Sequence, residues 1–87
     1  MKMSRIEIES KTKEIIALHF GMKLDEITID TNFVTDLNAD SLDAVEVIMS
    51  IEDRFDISIP DEDADDLTVI KSVVDYVEKN LADKGSK

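Results

Sequence analysis

Ser41 is the side chain best placed for chemistry in this sequence. It stands in the run Asp36-Leu37-Asn38-Ala39-Asp40-Ser41-Leu42-Asp43, just after an aspartate suited to a helix N-cap and at the head of a stretch, Leu42 to Phe55, without Gly or Pro. A serine so placed sits among the unpaired N–H groups of a first helical turn, where those groups and the helix dipole favour an anion. The site therefore suits a phosphodiester on the serine oxygen. The same spacing also suits a second capping residue, and spacing alone leaves both readings open. The serine is expected to accept a modification without catalysing one. There is no Gly-x-Ser-x-Gly elbow, and the one histidine, His19, lies near the end of the first helix, where a partial positive charge is favoured. No cysteine is present, so a disulfide and a thiolate metal site are excluded, and thiol chemistry has to come from a cofactor. Asp36 to Asp40 imitates the opening of a calcium-binding loop, but its sixth position is Ser41 instead of glycine and its twelfth is Val47 instead of glutamate. No specific metal site is expected. Loose binding of magnesium or calcium among Asp36, Asp40, Asp43, Glu46, Asp53 and Asp61 is.

The charge is concentrated around that serine. Twenty-one acids against ten Lys and Arg give a net charge of −11 over 87 residues. Residues 1–35 and 67–87 are nearly balanced, whereas residues 36–66 hold twelve acids and a single base, Arg54. Such a field suits a landing surface for basic partners and repels nucleic acid.

Four helical segments account for the positioning. Ser4-Arg5-Ile6-Glu7 has the form of a capping box and opens a first helix, with Ile8, Thr12, Ile15, Ile16 and Phe20 at helical spacing and Gly21 as C-cap. Residues 22–40 form a long connection anchored by Ile27, Phe33, Val34 and Leu37, a length that is usually functional. The second helix, about 41–55, carries two apolar stripes. Ala44, Val47, Ile48, Ile51 and Phe55 fall on one side, and Leu42, Val45 and Met49 nearly opposite. The second stripe either packs under the long loop or forms a docking strip rimmed by acids. Asp56 to Pro60 is an extended connector, Asp61 to Leu67 a single helical turn, and Thr68 a cap for a last helix patterned by Ile70, Val73, Val74, Val77 and Leu81, with Gly85-Ser86-Lys87 fraying.

Asp-Ser-Leu-Asp after Asp-Leu-x-Ala resembles the attachment motif of acyl carrier proteins. The likeness continues through Val45-Glu46-Val47-Ile48-Met49, Glu52-Asp53-Arg54-Phe55, Ile59-Pro60-Asp61-Glu62 and Val74-Asp75-Tyr76-Val77, and so covers about residues 8–80. The resemblance implies that Ser41 carries 4′-phosphopantetheine, whose thiol holds acyl groups as thioesters. Asn38 stands where the family often has glycine, and Asn tolerates left-handed backbone angles. Thr12 stands where the family is often apolar.

The expectation is an all-α, small four-helix bundle with three longer helices, a short third one and a long loop between the first two. It is a single domain over 1–87 with a core at about 4–82. The resemblance implies a freestanding carrier of dissociated fatty-acid synthesis, not an enzyme, loaded by a phosphopantetheinyl transferase. Asp40, Leu42, Asp43, Val45, Glu46, Met49, Glu52 and Asp53 would meet synthase enzymes through their basic patches, and Val47, Ile48, Ile51, Leu67 and Val73 would line a site for the acyl chain. A carrier for polyketide, lipid A or lipoate supply is the near alternative, and an acidic interaction module without cofactor the distant one. No apolar run approaches a membrane span, and no signal or transit segment is visible, so a cytoplasmic monomer is expected, or an organellar one if a presequence has been removed.

Overall fold

The computed structural model describes residues 3–85, with side chains as far as residue 82. It contains α1 (Arg5–Phe20), a 3₁₀ turn (Leu24–Glu26), α2 (Ser41–Phe55), α3 (Asp61–Ala64) and α4 (Ile70–Gly85). Ser86 and Lys87, expected to fray, lie outside the described residues; Gly85 belongs to α4.

The start of α1 is fixed by the capping box. Ser4 Oγ accepts from the Glu7 N–H, and Glu7 Oε1 accepts from the Ser4 N–H, both at 3.2 Å. Its end is fixed by Gly21, at φ 65°, a left-handed angle that a side chain would strain. Ile8, Thr12 and Ile16 bury the inner face together with Ala17, while Ile15 and Phe20 are half-buried. Thr12 has no accessible surface, and its hydroxyl donates to the Ile8 carbonyl at 2.8 Å, so the polar group costs the core little.

Helix α1 packs against α4 and α2. One apolar cluster joins Ile8 and Ile16 to Val47, Ile51 and Phe55 of α2, to Ile70, Val73, Val74 and Val77 of α4, and to Phe33 from the loop. Arg5 ties the start of α1 to α4, reaching Asp75 at 2.7 Å and Glu78 at 2.9 Å. Arg54 ties the end of α2 to Glu14 of α1 at 3.0 Å.

The long loop is anchored by more than its side chains. Ile27 and Phe33 are buried, Val34 and Leu37 half-buried, and Asn32 forms an isolated antiparallel bridge with Val69. The Phe33 N–H donates to the Thr68 carbonyl, and the Ile70 and Lys71 N–H groups donate to the Thr31 and Ile29 carbonyls. This corrects the expectation that Thr68 caps α4. Loop carbonyls meet two of the N–H groups that α4 leaves unpaired, and the Val69 N–H bonds to Ser72 Oγ at 3.3 Å. Farther along, Asn32 Oδ1 accepts from the Val34 and Thr35 N–H groups, and Asn38 adopts φ 59°. The left-handed angle read for Asn38 is thus present.

Candidate functional site

Helix α2 begins at Ser41. Asp40 Oδ1 accepts from the Asp43 N–H at 2.8 Å and Asp43 Oδ2 from the Asp40 N–H at 3.2 Å, a reciprocal cap that leaves the serine as the first helical residue. Ser41 is exposed, and its position puts the hydroxyl at the positive end of the α2 dipole.

The serine borders a cleft of about 670 Å³. Its apolar lining comes from Ala44, Val45, Ile48 and Met49 of α2, from Val34 and Ala39 of the loop, and from Ile59, Ala64 and Leu67, with Glu52, Asp61 and Asp65 among its polar groups. Ile48 and Leu67 were expected to line such a site and do. Val47, Ile51 and Val73 do not: each has no accessible surface and packs in the main cluster. Their place in the lining is taken by Val34, Ala39, Ala44, Val45, Met49, Ile59 and Ala64, which the sequence reading did not assign to a site for an acyl chain. For three of them the signal was size, since alanines at 39, 44 and 64 leave space beside the serine where larger residues would fill it.

The second stripe of α2 faces solvent. Leu42, Val45 and Met49 are 65, 53 and 60 % exposed, so the stripe is not buried under the loop, although Val45 and Met49 also line the cleft. Asp40, Glu46 and Asp53 are exposed around them. Glu52 is half-buried and accepts from the Ile59 N–H at 2.8 Å, so it also holds the 57–60 connector. Asp43 is half-buried as well. Its Oδ1 lies 3.0 Å from His19 Nε2, and this bond, followed by the Asp40 backbone, holds the Asp43 carboxyl below its usual pKa. No sequence signal links positions 19 and 43, which meet because α1 ends beside the start of α2.

The family model for the phosphopantetheine attachment site matches residues 10–77. The chain belongs to this family of carrier proteins. It is also similar to the solved structure of an acyl carrier protein from Enterococcus faecalis, with a TM-score of 0.78 and 38 % identity over 90 % of this chain and 99 % of that one. The carrier reading and the four-helix fold expected from the sequence therefore hold, and the expected prosthetic group is covalent 4′-phosphopantetheine. The protein is a carrier and not an enzyme, and its family implies a phosphopantetheinyl transferase and acyl-handling enzymes as partners. Among the described residues, no helix is long and apolar enough to cross a membrane.

Proposed function

We propose that Ser41 Oγ carries the 4′-phosphopantetheine of a single-domain acyl carrier acting in dissociated fatty-acid synthesis in the cytoplasm. The observation that carries this reading is the position of Ser41. It is exposed, opens a long helix and borders a cleft with apolar walls. The other serines in the described part of the matched region differ. Ser10 and Ser50 lie inside helices, Ser58 lies on the connector, and Ser72 donates to the Val69 carbonyl at 2.6 Å.

The residues present fit the group. The N-terminus of α2 offers a favourable field for the phosphodiester, and the cleft beside it offers apolar cover for what the arm carries. The bound thiol supplies the thioester chemistry. The chain's own residues supply position and recognition: Leu42, Val45 and Met49 give apolar contact, while Asp40, Asp43, Glu46, Glu52 and Asp53 attract basic patches. A tethered substrate gains effective concentration at each enzyme while the docking stays weak enough for release.

Incubation with a phosphopantetheinyl transferase and coenzyme A tests the attachment. The intact mass should rise by one phosphopantetheine, and Ser41→Ala should abolish the rise. Addition persisting in the alanine variant overturns the assignment. Analysis of the acyl groups on the carrier from its native cells tests the pathway. Straight-chain saturated and β-hydroxy intermediates of graded length are expected, and a single polyketide or lipoate precursor would point to another pathway.

A further inference from the structure

Three metal-ligating side chains converge where the end of α1 meets the start of α2. His19 Nε2 lies 3.0 Å from Asp43 Oδ1 and 3.9 Å from Glu46 Oε1, and one donor atom from each residue falls within 4.8 Å of the other two. We propose that His19, Asp43 and Glu46 form a binding site for a zinc-class divalent cation, held by one imidazole nitrogen and two carboxylate oxygens with water completing the shell.

The spacing supports this. Ligands at about 2.0–2.2 Å around a tetrahedral zinc ion stand roughly 3.3–3.6 Å from one another, and the two observed separations from His19 straddle that range. Small side-chain rotations bring the donors into place without moving a helix. Asp43 and Glu46 are three apart on α2 and project from one face. Asp43 is also oriented: its Oδ2 accepts from the Asp40 N–H at 3.2 Å, which leaves Oδ1 toward the histidine. An outer bond of this kind aims a ligand and strengthens metal binding. The His19 ring is itself packed, edge-on to Phe20 at a centroid distance of 4.8 Å and with 21 % of the side chain exposed.

Chemistry sets the choice of ion. A nitrogen ligand favours zinc, nickel, copper and cobalt, whereas magnesium and calcium prefer oxygen alone. The lone pair of Nε2 binds the metal and the ring proton stays on Nδ1. The two carboxylates supply the opposing charge, within a segment of strongly negative balance. The calcium-loop pattern over Asp36 to Asp40 has no bearing on this set, because its histidine comes from α1.

Calorimetric titration of zinc chloride into the unmodified chain, with excess magnesium present, tests the site. One zinc ion per chain is expected, with binding weakened by at least about tenfold in both His19→Gln and Glu46→Gln. Zinc should shift the His19 ring nitrogen resonances and should raise the melting temperature of the unsubstituted chain more than that of either variant. Circular dichroism confirms that the variants are folded, and Glu46 is exposed enough to substitute safely. Equal zinc affinity in the unsubstituted chain and in folded His19→Gln, or displacement of zinc by magnesium at equal concentration, overturns the proposal. Neither outcome bears on loading of Ser41, which is read separately by mass.

Discussion

Tyr76 Oη donates to Asp63 Oδ2 at 2.8 Å and so fastens the four-residue α3 to α4. Burial first, and then the Asp63 carboxylate, raise the pKa of the phenol, which remains a donor at neutral pH. A helix this short has no independent stability, so its position beside the cleft depends on such ties. Tyr76→Phe should cost about 0.5–1.5 kcal/mol. Amide exchange should quicken over residues 61–67 and stay unchanged in α1, as hydrogen-exchange mass spectrometry can read.

The long helices were legible because each carries its own signals. Ser4 and Glu7 form the cap their spacing announced, Gly21 ends α1, and Asp40 starts α2 at the residue expected. What was not legible arises between segments. The bridge of Asn32 with Val69 and the loop carbonyls that meet α4 are backbone contacts, to which side-chain patterns are blind. Thr68 is a good capping type, but those carbonyls already meet N–H groups that a cap would bind. The cleft was assigned too deep. Periodicity shows which residues face inward, and it does not separate Ile48, on the cleft wall, from Val47 and Ile51 in the solid core.

The cap and the proposed attachment residue are adjacent and separable. Asp40→Ala removes the acceptor for the Asp43 N–H and should cost about 1 kcal/mol of stability. Ser41→Ala removes a hydroxyl from the exposed first residue of the helix and should change stability by no more than about 0.5 kcal/mol while abolishing loading. Urea denaturation of both variants beside a loading assay checks the contrast. A large stability loss in Ser41→Ala would show that the serine has a structural task of its own.

Charge reversal should separate docking from structure. Glu46 and Asp53 are exposed, so the double variant Glu46→Lys, Asp53→Lys should keep its helical content yet load more slowly at low salt. Exposed pairs give about 0–1 kcal/mol each, and the deficit should shrink as the Debye length falls toward roughly 3 Å at 1 M salt. Glu52→Lys should instead lose stability as well, because the Ile59 N–H loses its acceptor. Loading rates across a salt series, with melting temperatures alongside, distinguish the two classes.

Arg5 predicts a pH dependence of defined sign. The Asp75 carboxyl is held below its usual pKa by its bond to Arg5 first and then by Lys71. A depressed carboxylate contributes stability at pH values above its unfolded pKa, and loses that contribution as pH falls through the folded value. Arg5→Gln should therefore lower the melting temperature at pH 7, and the gap from the unsubstituted protein should narrow as pH drops below 4. Because the pair is partly exposed, the effect should be small and weaker in high salt. Thermal melts of both proteins from pH 7 to pH 3 measure it, and a gap that widens in acid would contradict the assignment.

The cleft makes the strongest claim about cargo. An acyl tail left in water forgoes about 0.8 kcal/mol for each methylene that burial would shelter. The space bordered by Ser41, Ala44, Ile48, Ala64 and Leu67 is about 670 Å³, and the proposed attachment residue is itself part of its lining, so a tail can enter without unpacking the main core. The melting temperature of the acylated carrier should therefore rise with chain length from two to eight carbons and then level as the cleft fills. Ala44→Leu places a larger side chain in the cleft at a helical position where leucine is well tolerated. The unacylated variant should stay folded, while its gain from an eight-carbon chain should fall to that of a two-carbon one. Melting temperatures for the acyl series in both backgrounds decide the matter. A flat series in the unsubstituted protein would mean that the tail stays outside the cleft, and equal gains in both backgrounds would place it elsewhere on the fold.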